Sequence, residues 1–150
     1  MFVEKWGKTS RLTTQTTTRG GNMEERTVLV IDDWPNIRLI SEVIQSFNFA
    51  PRLSIKGYFV AIKMSLSDIL VLDNQLKKTD ILILAKDLST PTLIKTIRQK
   101  YPGTTIILTG TDFAEKGQEG EDFFLEKPFP IAQLGELIRQ IIEKKEANPQ

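Results

Sequence analysis

The chain has 150 residues, of which 40% are hydrophobic, and its formal net charge is +1. This length and composition predict one domain with a hydrophobic core, and so small a charge gives no strong attraction to nucleic acid or to an anionic membrane. Cysteine and histidine are both missing, which excludes disulfides, thiolate or imidazole metal sites, Ser-His-Asp catalysis and phosphohistidine chemistry on this chain. The apolar runs are too short to span a bilayer.

The first 22 residues differ in composition from the rest. They are rich in threonine and basic residues, have Glu4 as their one acid, and show no hydrophobic periodicity. We predict a disordered arm over 1–22, a folded domain over 23–146 and a frayed tail over 147–150. The composition of the arm also suits an organelle transit peptide, and Met23 as the true start is the simpler interpretation.

The first predicted strand is the apolar, β-branched run 27–31, which ends in Asp32 and Asp33. Such a run is typical of a strand buried on both faces of a parallel sheet. Ligands bind at the carboxyl ends of these strands, and two adjacent carboxylates there suit a hard cation such as Mg²⁺. The alternative is structural: Asp32 caps the next helix and Asp33 faces water.

Apolar residues at helical spacing predict a helix from Pro35 to Phe47, which Asn48 ends. A second strand is predicted over 49–55, and residues 57–62 are a further strand candidate. A helix is predicted over 67–78, where apolar residues follow a Ser-Asp start.

Three more apolar runs predict strands over 81–85, 104–108 and 123–125. Thr90 or Thr92 caps a helix between the first two, and Pro130 opens a final amphipathic helix that frays from Glu143 onward. Residues 111–120 leave room only for a short helix. Strands that alternate with helices predict an α/β fold with a parallel, doubly wound sheet, and the sequence has no Gly-rich phosphate loop.

Polar side chains follow three of these strands at the same edge of the sheet. Asp32 and Asp33 follow the first strand, Thr109 the fourth and Lys127 the fifth. A cation site, a hydroxyl and an ammonium group together are suited to bind a phosphoryl group.

These motifs resemble the receiver domain of two-component response regulators, in its first, fourth and fifth strands: residues 28–33, 106–110 and 124–129. The resemblance implies a five-stranded (βα)5, flavodoxin-like receiver fold. It also implies Mg²⁺ binding by Asp32 and Asp33, phosphoryl sensing by Thr109 and Lys127, and a switching role for Phe124. The family's Lys-Pro peptide is commonly cis, which Lys127–Pro128 is expected to share.

The sequence departs from the family at the phosphoacceptor, an Asp at the end of the third strand. The apolar register favours Ala85 there, which makes it a degenerate acceptor position. A register shifted by two residues makes Asp87 the acceptor and a third metal ligand, although Lys86 then lies inside the strand end. Because side chains alternate along a strand, Asp87 could face the pocket even if Ala85 holds the acceptor position.

We therefore expect a stand-alone, degenerate receiver that is not an enzyme. It would bind a protein partner in the cytoplasm, either a histidine kinase or another signalling protein, without phosphorylation and without nucleic acid or membrane contacts. The alternative is a working receiver that uses Asp87 with Mg²⁺. A third hypothesis treats the motif residues as structural only: Thr109 satisfies a loop backbone group, Lys127 pairs with Asp32 or Asp33 at the surface, and Phe124 belongs to the core.

Overall fold

A computed structural model describes residues 25–47, 53–60, 63–111 and 120–147. The elements are β1 (Arg26–Asp32), α1 (Trp34–Ser46), β2 (Leu53–Phe59), α2 (Leu66–Val71), α3 (Asp73–Leu76), β3 (Ile81–Ala85), a 3₁₀ turn (Lys86–Leu88), α4 (Pro91–Lys100), β4 (Thr105–Gly110), β5 (Phe123–Glu126) and α5 (Ile131–Ala147). The predicted arm at 1–22 and residues 112–119 lie outside the described ranges.

The five strands form one sheet in the order β2-β1-β3-β4-β5, and the pairs β1–β3, β3–β4 and β4–β5 are parallel. This is the strand order of the flavodoxin-like doubly wound fold, so the predicted fold class is confirmed. All five residues of β3 are buried, as expected for the central strand of a sheet with both faces covered. The carboxyl ends of β1, β3 and β4 therefore lie side by side.

Side chains that the sequence supplies cap the beginnings of α1 and α4. The Asp33 carboxylate accepts the Asn36 N–H at 2.9 Å and begins α1. Thr90, rather than Thr92, caps α4, since its hydroxyl accepts the Leu93 N–H at 3.2 Å. Each cap satisfies a backbone donor that the first turn leaves free.

Three predicted elements differ from the structure. The second strand extends to Phe59 and not to residue 55, because Gly57 does not interrupt it: a side chain there would meet Ile37, so the glycine lets α1 pack closely. The helix predicted over 67–78 is two helices, α2 and α3, that meet at Leu72. At the other end of the chain, α5 remains helical to Ala147, past the predicted fraying point at Glu143.

One compact unit comprises Thr27–Asn48 and Ile55–Gln150, and it holds every candidate site residue. Of a second unit, Met1–Arg26 and Phe49–Ser54, the structure describes residues 25, 26, 53 and 54. None of the helices in the described ranges is both long enough and apolar enough to cross a bilayer.

Candidate functional site

The centre of the candidate site is an ion pair between Asp32 and Lys127. Asp32 ends β1 and its side chain is 6% exposed, while the Lys127 side chain, just after β5, is 21% exposed. The Lys127 ammonium lies 3.1 Å from Oδ2 of Asp32. The Lys127–Pro128 peptide bond that follows is cis, as the family resemblance implied. The buried carboxylate is therefore neutralised by a cation of the chain itself.

The second oxygen of Asp32 is also engaged. Its Oδ1 accepts the Asp33 N–H at 2.7 Å and the side-chain amide of Asn36 at 3.4 Å. Asp33 itself is exposed and caps α1. The structural alternative was right that Asp33 faces water but wrong in making Asp32 the cap, because the cap is the residue one step outside the sheet.

Ala85 and Thr109 are neighbours at the carboxyl ends of β3 and β4. They are Cα partners in the parallel register, with exposed fractions of 2% and 0%. Within the described residues the Thr109 hydroxyl has no hydrogen-bond partner, which is unusual for a buried polar group. The position between Asp32 and Thr109 thus carries a methyl group.

Asp87 lies on the 3₁₀ turn that follows β3, and it is exposed. Asp87 was expected on the same side as Ala85 because side chains alternate along a strand. That rule does not apply here, because β3 ends at Ala85. Lys86 accordingly lies in the 3₁₀ turn, and not inside the strand end where the register shifted by two residues would put it. In the part of the chain that is described, no three acidic side chains come together to hold a metal ion, and Asp87 does not join Asp32 and Asp33 in one.

Phe124 is buried on β5, opposite Leu108 of β4. Its ring packs over the backbone of Gly110, where an added Cβ would lie 3.0 Å from the ring Cζ and 3.3 Å from Cβ of Lys86. The glycine therefore leaves the space that the ring fills. Phe124 and Ala85 belong to the same buried apolar cluster.

The residues present fit Mg²⁺ poorly. Mg²⁺ takes oxygen ligands in near-octahedral geometry, usually from one or two carboxylates with several waters. Both oxygens of Asp32 already have partners, and Asp33 is used as a helix cap. The Ala85 side chain supplies no oxygen. The Lys127 ammonium neutralises the Asp32 carboxylate, which a metal ion would otherwise do.

Two residues of the site were missed in the sequence. Asn36 supports the Asp32 carboxylate, and its spacing of three from Asp33 was the available signal. Met64 is buried with Ala85 and Leu88, and its N–H donates to the Leu88 carbonyl at 2.8 Å. Its signal was weaker, since it is one apolar residue in a polar stretch.

No protein-family model matches the sequence, and no curated protein matches it. Solved structures do. A protein described as pilus assembly-related from Burkholderia pseudomallei K96243 has a TM-score of 0.63 and 17% identity over 85% of this chain and 96% of its own. The response regulatory domain of protein mrkE from Klebsiella pneumoniae has a TM-score of 0.64 and 15% identity over 81% of this chain and 99% of its own.

A response regulator receiver modulated diguanylate cyclase from Pelobacter carbinolicus has a TM-score of 0.61 and 17% identity, over 81% of this chain and 96% of that chain. At such identities the likeness concerns the fold. The chain has the fold of a response-regulator receiver domain.

Proposed function

We propose that this chain is a receiver-like signalling module that binds a protein partner without being phosphorylated. The observation that supports this most directly is the register at the sheet edge. Ala85 is the Cα partner of Thr109, at the position where the family resemblance puts the phosphoacceptor. A methyl group cannot form an acyl phosphate, so the site lacks its nucleophile.

The charges of the site support the same proposal. In a receiver that works by phosphorylation, the metal and the lysine would be available to the phosphoryl oxygens. Here Lys127 is held by Asp32 at 3.1 Å, and the acid pair is engaged by backbone and side-chain donors. In this proposal Thr109 no longer senses a phosphoryl group and Phe124 no longer switches conformation in response to one.

The partner that suits this fold is a histidine kinase or another signalling protein. Because the proposed interaction needs neither metal nor phosphoryl group, its affinity should be the same in EDTA and in Mg²⁺. Isothermal titration against the catalytic region of a candidate kinase would measure both affinities. A tenfold gain in Mg²⁺, or about 1.4 kcal/mol, would contradict the proposal.

The main test is the intact mass of the full chain after incubation with a small-molecule phosphodonor and Mg²⁺. We expect no added phosphoryl group, while a working receiver treated in parallel is labelled. Labelling that Asp87→Asn removes would overturn the proposal and establish Asp87 as the acceptor. Labelling that Asp87→Asn leaves in place would overturn it equally.

Ala85→Asp is the matched gain-of-function variant. It adds a carboxylate beside Asp32 and Thr109, in the place that the resemblance assigns to the acceptor. If this variant is labelled while the wild type is not, Ala85 alone blocks phosphorylation. If neither is labelled although circular dichroism shows that the variant is folded, Ala85 is not the only feature of the site that prevents phosphorylation.

A further inference from the structure

A small cavity lies between β1, β2 and α3, near the amino end of β1. Its volume is about 180 Å³, so it holds about six water volumes and, taken as a sphere, is about 7 Å across. Two of its lining residues carry a positive charge and none carries a negative one. The residues that line it are Thr27, Leu29, Lys56, Asn74, Gln75, Lys78 and Thr79.

The two positive charges of the cavity belong to Lys56 on β2 and Lys78, two residues after α3. Both side chains are exposed, and neither makes an ion pair or a hydrogen bond with another residue in the described ranges. An anion inside so small a cavity lies within about 8 Å of both ammonium groups, which is the screening length at physiological ionic strength. Both lysines therefore attract it.

The acids that flank the lining residues along the chain have other partners. Asp73 pairs with Lys77 at 3.0 Å and accepts the Tyr101 hydroxyl. Oδ2 of Asp80 accepts the Thr27 N–H at 2.9 Å. Neither carboxylate lines the cavity. The positive charge of the lining is therefore not balanced by an acid of the lining.

The other lining groups define which anion fits. The side-chain amides of Asn74 and Gln75 are exposed and can donate N–H groups, whereas Leu29, only 1% exposed, and the alkyl stems of the lysines are apolar. The Thr79 hydroxyl is already used, because it donates to the Gln75 carbonyl at 2.7 Å. Donors beside an apolar wall match a carboxylate on a short alkyl chain.

We infer that this cavity binds a small monocarboxylate of about four to six carbon atoms, the size that about six water volumes admit. The carboxylate lies between the ammonium groups of Lys56 and Lys78, and the alkyl chain lies against Leu29. A free amino acid fits less well, because its own ammonium group faces two lysines. This inference does not depend on the proposed function.

Two-dimensional amide NMR spectroscopy of the full chain, titrated with sodium butyrate at constant ionic strength, tests the inference. We expect saturable shifts at the lining residues with a dissociation constant of about 1 mM, because so small a ligand makes few contacts. Butyramide has the size of butyrate without its charge, and inorganic phosphate has charge without the alkyl chain. Each should bind at least about tenfold more weakly than butyrate.

Lys56→Gln and Lys78→Gln each remove one ammonium group and should weaken butyrate binding about threefold or more. Lys77→Gln is the matched control, because Lys77 is exposed and adjacent to Lys78 but does not line the cavity. It should leave the dissociation constant unchanged. The amide spectrum of each variant also shows that it is folded.

The inference is overturned if butyrate shows no saturation below about 30 mM, or if its shifts lie outside the cavity. Butyramide or phosphate that binds as tightly as butyrate overturns it too, since the site then does not select a carboxylate with an alkyl chain. So does equal binding by the wild type and both cavity variants.

Discussion

The ion pair between Asp32 and Lys127 makes a specific prediction about stability. Lys127→Met keeps most of the side-chain length but removes the ammonium that lies 3.1 Å from Oδ2 of Asp32. The Asp32 side chain is only 6% exposed, so the carboxylate cannot recover its hydration in the folded state. We therefore expect the variant to be clearly less stable than the wild type.

The size of the effect follows from what remains around Asp32. Breaking a buried ion pair by removing one partner costs about 3–5 kcal/mol. Here Oδ1 keeps the Asp33 N–H and the Asn36 amide as donors, and the Lys127 side chain is 21% exposed. Both reduce the penalty, so we expect about 3 kcal/mol, at the lower end of this range.

Chemical denaturation followed by far-UV circular dichroism measures this loss in buffer with EDTA. Asp32→Asn combined with Lys127→Met removes both charges, and its cost should be smaller than the sum of the single costs by about 2 kcal/mol. Lys95→Met, an exposed lysine on α4, should change stability by less than about 0.5 kcal/mol. If Lys127→Met matches that control, the pair does not stabilise the site and the reasoning is wrong.

Three further predictions concern packing and titration. Gly135→Ala should destabilise the protein by about 1–3 kcal/mol in denaturation, because an added Cβ would overlap the Phe47 ring. In a Phe47→Ala background the same substitution should stabilise it, because alanine has the higher helix propensity and the ring is no longer there. Burial, with a hydrogen bond to Asp73, raises the pKa of Tyr101 from 10.0 to about 12. The wild type should therefore be more stable than Tyr101→Phe below pH 10, and it should lose this advantage as the pH rises to 12. A difference in unfolding free energy that does not change with pH would contradict this prediction. Thr109→Val removes a buried hydroxyl that has no hydrogen-bond partner among the described residues, so it should be neutral or should stabilise the protein by about 1 kcal/mol. A loss of more than about 1 kcal/mol of unfolding free energy in denaturation would show that the hydroxyl does have a hydrogen-bond partner.

The parts of the fold that the sequence predicted well are those that local pattern determines. The runs that became β1, β3 and β4 are continuous and apolar, and such runs have few alternatives once helices separate them. Thr90 caps α4, as one of the two predicted candidates, because its spacing to the first free N–H is local. The strand order came from the family resemblance and not from periodicity.

The errors arose where a tertiary contact decided the outcome. The second strand was predicted to end at residue 55, with 57–62 as a separate candidate, but β2 continues through Gly57, where the close approach of Ile37 leaves no room for a side chain. Asp87 was placed by extending strand alternation through residues that form a 3₁₀ turn. The partner of Asp32 lies 95 residues away along the chain, so no local pattern could have distinguished an ion pair from a metal site.

The candidate site shows how receiver-like motif residues can stabilise the fold by themselves. Asp33 begins α1, and Asp32 ties β1 to the segment after β5 through Lys127. Each of these contacts stabilises the fold whether or not a phosphoryl group ever binds. Motif residues alone are therefore weak evidence for phosphorylation, and the residue between them is the one that decides. On the alignment that the proposed function uses, that residue is Ala85, which is buried and opposite Thr109.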